Sequence, residues 1–305
     1  MPAAAPPHTT RAVLGMLLVV AIWAANFVAM RLVLAEVPLL VVGALRFTLA
    51  GALLTALLAA REGHVRLAPA DLWRLLGLGI LGNTVYQTLF MLGLTGTTVG
   101  NTAILLATSP LLTAAIGALL GVERPSRPLA VGLALALAGA VLVLRSHGFA
   151  FGSATVAGDL AALGAAVCWA LYTLGVRRLP GGLSPLRVTA LTTLAGAPGL
   201  ILLALPDLPG VAWSQVSLQA WLALGYSVVL SIGLAYWIWN ANVATVGPNR
   251  TALFNCLTPL LAMLIAWPVL DETPGPVQWV GGTLIIAGVL TGRGFPRRLL
   301  GRAAA

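Results

Sequence analysis

Charge is what this sequence has least of. Only 8% of its 305 residues are charged, and lysine is absent altogether, so all 17 basic residues are arginines against 8 acidic ones. A soluble domain of this size carries about three times that charge fraction, and the 59% hydrophobic content and mean hydropathy of +0.99 lie equally far outside soluble composition. The chain has two cysteines, Cys168 and Cys256, each inside an apolar run and without metal-ligand spacing, which argues against a disulfide framework or a zinc site. Its three histidines, His8, His64 and His147, lie outside the apolar runs. There is no HExxH, GxSxG, phosphate-cradling glycine loop or Cys/His cluster, so no enzyme centre, metal or cofactor is expected. The net charge of +9 comes from arginines scattered between apolar runs, without a basic stripe interleaved with aromatics, and nucleic acid is not an expected partner.

What is present is a succession of long apolar runs. A hydrocarbon layer of about 30 Å needs about 20 residues per helix. The runs predict ten spans: 12–34, 38–60, 73–93, 98–120 and 128–145, then 158–177, 184–205, 218–240, 250–269 and 277–292. The junction between the eighth and ninth is marked only by Gly247-Pro248-Asn249-Arg250. With the N-terminus in the cytoplasm, Arg11, the Arg61/Arg66/Arg74 group, Arg124/Arg127, Arg177/Arg178/Arg187, Arg250 and the C-terminal arginines fall inside, as membrane orientation favours. Arg31, Arg46 and Arg145 resist this sorting.

The Gly/Ser/Ala-rich middle divides the chain. The expected organisation is a tail over 1–11, a five-helix repeat over 12–145, a linker over 146–157, a second repeat over 158–292 and a basic tail over 293–305. Ser109-Pro110-Leu111-Leu112 and Glu123 match Thr258-Pro259-Leu260-Leu261 and Glu272 at one common offset, which also carries Gly132 onto Gly281 and Gly139 onto Gly288. A nearly equal offset relates Trp23 to Trp169. An odd number of spans per half turns the second repeat upside down, an arrangement in which solute sites lie near the midplane.

Candidate functional residues are the polar and aromatic ones inside the runs. Asn83, Tyr86 and Gln87 are spaced to share a helical face, as are Gly233, Tyr236, Trp237 and Asn240 in the matching segment; Trp23 with Asn26 and Trp169 with Tyr172 supply two more faces. Such rings can line a cavity whose amides orient a ligand. The plainer alternative assigns the rings to interfacial belts and the amides to helix association, as is expected of Trp73, Trp213 and Trp279. Arg46 stands alone as a charge well inside a run. It could hydrogen-bond helix ends or carbonyls, meet a carboxylate-bearing substrate, or extend to the interface. Pro110 and Pro259 are candidates for paired kinks. Every carboxylate falls at or beyond a span end, so obligatory proton coupling is not expected.

These residues resemble the drug/metabolite transporter superfamily, in particular its ten-span EamA-type exporters, over nearly the whole chain. The marks are Trp23-Ala24-Ala25-Asn26-Phe27-Val28, Pro38 with Leu45-Arg46-Phe47, Thr108-Ser109-Pro110 with Glu123, Trp169-Ala170-Leu171-Tyr172, and Leu257-Thr258-Pro259 with Asp271-Glu272. The resemblance implies an all-α, basket-like membrane fold of two inverted five-helix repeats around a mainly hydrophobic cavity. It also implies a bacterial inner-membrane location with both termini cytoplasmic, and export of amino acids, aromatic ones among them, or related amphipathic metabolites. The expected partners are the lipid bilayer and a small-molecule substrate, with no obligatory protein partner. Efflux of lipophilic or quaternary ammonium cations is the alternative transport activity, and a non-transporting membrane scaffold the alternative of another class.

Overall fold

The computed structural model describes residues 7–63, 67–97, 102, 105–144, 156–270 and 273–293, and among these all regular structure is helical. The helices are α1 (Pro7–Leu34), α2 (Leu39–Glu62), α3 (Pro69–Gly96), α4 (Ser109–Leu119), α5 (Arg127–Leu144), α6 (Val156–Arg177), α7 (Pro185–Ala204), α8 (Leu218–Val246), α9 (Pro248–Asn255), α10 (Thr258–Leu270) and α11 (Pro276–Gly292). Six of them, α1, α2, α3, α6, α7 and α8, are long and apolar enough to cross a bilayer, and α4, α5 and α11 are shorter apolar helices.

The fourth, eighth and ninth spans differ from the sequence expectation. The eighth continues through Asn242 to Val246, and the ninth is two helices, α9 and α10, separated at Cys256-Leu257. Pro259 lacks the N–H that would continue the ladder and sits in the first turn of α10; Pro110 stands likewise in the first turn of α4, after a turn at Thr108. The expected interruptions are therefore at the prolines in both halves. Unforeseen were two π-helical stretches, Ile80–Val85 within α3 and Ser227–Leu234 within α8, at matching places in the repeat. Glu272, Arg145, His64 and His147 lie outside the described residues.

The inversion is visible in how equivalent helices touch. Gly132 of α5 packs on Gly288 of α11, and Gly139 on Gly281: a Cβ at Gly132 would come within 2.5 Å of the Gly288 carbonyl, and one at Gly139 within 2.5 Å of the Gly281 carbonyl. The sequence match pairs Gly132 with Gly281 and Gly139 with Gly288. Each contact is thus the other's image, and the two helices run antiparallel across a two-fold axis. The same exchange holds elsewhere: α1 packs on α8 and α10 while α6 packs on α3 and α4, and α2 packs on α7.

Polar contacts define the two ends of the bundle. At one end Glu62 of α2 pairs with Arg187 of α7 at 2.7 Å and accepts from the Ser184 hydroxyl. There too Arg177 donates to the Ala244 carbonyl at 2.5 Å, Arg178 donates to the Leu120 carbonyl, and the Glu123 carboxylate accepts from the Asn249 N–H at 3.1 Å. The cations meet carbonyls at the C-terminal ends of α8 and α4, and the anion meets the N-terminus of α9, each the favourable sign for a helix dipole.

At the other end the Thr97 hydroxyl donates to Asp159 at 2.7 Å, and Glu36 accepts from the Ser217 N–H at 2.6 Å and its hydroxyl at 2.7 Å. These bonds hold the Glu36 carboxyl below its ordinary value of 4.5. A lowered folded-state value means that the contribution to stability is complete above pH 4.5 and is lost as pH falls through the lowered value. Acidifying from pH 7 to pH 3 is therefore expected to lower the wild-type Tm more than that of Glu36→Gln. Equal pH profiles in thermal unfolding would show that the contact contributes nothing.

Candidate functional site

The largest buried cluster draws on both halves, and its centre is aromatic. Trp169 of α6 is the hub. Its ring centroid lies 5.8 Å from Trp23 (α1), 5.4 Å from Tyr86 (α3), 5.5 Å from Tyr172 (α6), 5.4 Å from Tyr236 (α8) and 5.3 Å from Trp239 (α8). Phe47 of α2 joins through Tyr236 at 6.4 Å. The arrangement follows the repeat: Trp23 and Trp169 come from equivalent helices, as do Tyr86 and Tyr236. Edge-to-face and tilted packing of this kind adds about 0.5–1.5 kcal/mol per pair beyond area burial.

Polar groups around these rings fall into two sets. One set bonds within the protein, although Asn83 keeps its Oδ1 without a partner. Asn240 donates to Thr189 at 2.9 Å and exchanges hydrogen bonds with the Tyr172 hydroxyl, tying α6, α7 and α8 together. Asn83 donates to the Thr192 carbonyl at 2.7 Å and Thr84 to the Gly196 carbonyl at 2.7 Å, which docks the π stretch of α3 onto α7. The π stretch of α8 presents the Ser231 carbonyl to the Trp23 indole N–H at 3.1 Å. Gly82 is required beside this network, because a Cβ there would lie 2.3 Å from the Tyr172 ring.

The second set is sealed from solvent and has no hydrogen-bond partner in the protein: the indole nitrogens of Trp169 and Trp239, Gln87 Oε1, Asn26 Oδ1 and Arg46 Nε. Unsatisfied buried groups cost about 1–3 kcal/mol each, so several around one set of rings ask for an explanation. Gln87 lies near the Tyr236 hydroxyl, and its Oε1 has no partner. Trp23, Asn26, Arg46 and Tyr86 are half-buried, whereas Trp169, Tyr172, Tyr236 and Trp239 are buried. The first four keep part of their surface exposed, and the others are enclosed behind them in the cluster.

Nearly all of the sequence candidates therefore come together, but in different capacities. Trp23, Tyr86, Trp169 and Tyr236 form the cluster with Gln87 and Arg46 at its side. Tyr172 contributes its ring and commits its hydroxyl to structure, and Asn83 joins helices. Trp237 does not join the cluster: it packs with Leu54, Leu57, Leu58, Leu186 and Ala190 between α2 and α7. Tyr236 and Trp237 stand about 100° apart around the helix, on opposite flanks of the expected face, and only the Tyr236 flank meets the rings. Trp239, three residues on from Tyr236, takes the place expected of Trp237. That spacing was readable in the sequence. Pro110 and Pro259 stand at the helix interruptions, apart from the rings.

Crossed, inverted halves that meet at a shared aromatic cluster are the architecture of a membrane transporter. The EamA-like transporter family model matches residues 10–145 and again 156–291. The chain is 33% identical to the uncharacterized transporter YyaM of Bacillus subtilis over 72% of each chain. It is 28% identical to the "Probable terminal-alkyne amino-acid exporter" of Streptantibioticus cattleyicolor, covering 96% of both. It is also 29% identical to the "Probable amino-acid metabolite efflux pump" of Salmonella typhimurium, covering 90% of this chain and 91% of that one. A solved crystal structure shares the fold at a TM-score of 0.79 and 24% identity, over 95% of this chain and 99% of that one. The chain belongs to the EamA-like transporter family.

Proposed function

We propose that this transporter exports amino acids, aromatic ones included, or related amphipathic metabolites across the bacterial inner membrane. In this proposal ten spans alternate access to the central site, and both termini lie in the cytoplasm. The observation that carries it is the aromatic cluster shared by both halves, with unpaired amide, indole and guanidinium groups at its side. An apolar body would lie against the rings while a polar head takes the unpaired groups. The exporter names of two relatives point the same way. Efflux of lipophilic cations is disfavoured by Arg46, a positive charge beside the same rings. Labelled-substrate counterflow in proteoliposomes tests the proposal; absence of saturable exchange with phenylalanine, threonine and similar compounds rules out this substrate class.

The proposal includes transport without obligatory proton coupling. A driving ion acts only by binding differently to the two access states. Among the described carboxylates, Glu62, Glu123, Glu36 and Asp159 are committed to contacts at helix ends, Asp71 pairs with Arg74 at 3.0 Å near the start of α3, and Asp207 lies in the loop after α7. Dissipating the proton gradient with an ionophore is expected to leave exchange of a zwitterionic solute within about twofold of its untreated rate. Uphill accumulation driven by an imposed pH gradient, absent from empty vesicles, would refute this part.

A further inference from the structure

Arg46 sits about two turns into α2, beyond reach of the helix end. Its guanidinium lies within electrostatic range of the Tyr86 and Tyr236 hydroxyls, and neither is an anion at neutral pH. Among the described residues Arg46 makes no ion pair and no hydrogen bond, and its Nε is sealed off without a partner. Of the three roles open to an arginine there, two lose their support. A structural arginine would donate to carbonyls or helix ends, as Arg177 and Arg178 do. An arginine extending to the interface would not hold its Nε closed off beside a buried aromatic cluster. Leaving a charge buried and uncompensated costs several kcal/mol, and a protein retains such a group when a partner arrives from elsewhere.

The chemistry of that partner follows from the surroundings. The residue as a whole is half-buried and of its guanidinium nitrogens only Nε is sealed off without a partner, so the terminal nitrogens are what remains accessible, within electrostatic range of the half-buried Tyr86. Guanidinium geometry suits a planar two-oxygen anion. Gln87 supplies an unpaired acceptor near Tyr236, and the aromatic faces attract an ammonium. The set is therefore zwitterionic in what it can satisfy: an anion at Arg46, a cation at Gln87 and the rings, and an apolar body against Trp23 and Trp169.

We infer that Arg46 is the anchor for the substrate's carboxylate, so that the transporter selects α-amino acids and other carboxylates over the corresponding amines and esters. This deepens the proposed export of amino acids and rests on it for the identity of the transported solute. Carboxylate binding is tested separately. In thermal unfolding of the purified wild type, L-phenylalanine and 3-phenylpropionate are expected to raise Tm, whereas phenethylamine and phenylalanine methyl ester are not. In proteoliposomes Arg46→Gln is expected to raise the KM for L-phenylalanine at least tenfold and to abolish the preference over the ester. Arg46→Lys keeps the charge without the two-pronged geometry and should fall between, which also guards against a Gln variant that fails to fold. Stabilisation by 3-phenylpropionate without amino-acid exchange would uphold the anchor and refute the amino-acid proposal alone. Equal stabilisation by acid and ester, stabilisation by no carboxylate, or an unchanged KM and preference in a folded Arg46→Gln would overturn the anchor.

Discussion

Gly139→Val is expected to remove most of the folded protein from detergent-solubilised membranes, and Gly281→Val to do the same. A Cβ at Gly139 would stand 2.5 Å from the Gly281 carbonyl and 2.7 Å from the Ile285 nitrogen, and one at Gly281 would stand 2.7 Å from the Gly139 carbonyl. These are backbone atoms of an apposed helix, with no side-chain rotamer to yield. In a bilayer helices associate largely by close packing, since lipid chains are as apolar as leucine, so the loss of backbone approach has little to offset it. Overpacking commonly costs about 1–3 kcal/mol, and a clash set on backbone at both glycines belongs at or above the top of that range. The control is Gly77→Val in α3, where nothing lies within 4 Å of the added carbon and yield should be unchanged. Size-exclusion yield and Tm measured for the three variants decide the matter. Wild-type behaviour of Gly139→Val would mean that α5 and α11 are not in backbone contact.

Trp169→Ala is expected to reduce counterflow at least tenfold, and Trp169→Phe by about threefold to tenfold. The alanine removes the ring that five others touch, and large-to-small changes at such a position cost about 3–5 kcal/mol where the surroundings do not collapse. Phenylalanine keeps an aromatic face but lacks the indole N–H that is unpaired within the protein. Rates must be normalised to the folded, reconstituted amount, so that lost stability is not counted as lost transport. If Trp169→Ala supports normalised wild-type flux, the ring serves packing alone.

Much of this architecture was legible because a bilayer leaves few options. Once water is excluded, the apolar runs have to be helices, and the register of Ser109-Pro110 with Thr258-Pro259 and of Gly132 with Gly281 exposes the duplication. Those same glycines turned out to be the crossing point of the halves, which a one-dimensional match cannot reveal. The π stretches were hidden because they depend on what α3 and α8 meet: Asn83 and Thr84 bonding to α7, and Trp23 taking the Ser231 carbonyl. At the site the sequence identified the helices and most of the rings. It chose Trp237 over Trp239 because the spacing of Gly233, Tyr236, Trp237 and Asn240 defines a helical face but not which flank of it meets the rings. For Arg46 the sequence marked an anomaly but left its role open, since only the fold shows which partners it lacks.

The crossed arrangement also bears on how the chain is made. The first half presents α1, α2 and α3 to surfaces that mostly belong to α6, α7, α8 and α10, and its α5 to α11. As the ribosome delivers these helices to the membrane, each can be inserted on its own, but their partners are still unsynthesised. The first half must therefore wait in the lipid as loosely associated helices, its small-residue faces uncovered, until the final helix closes α5.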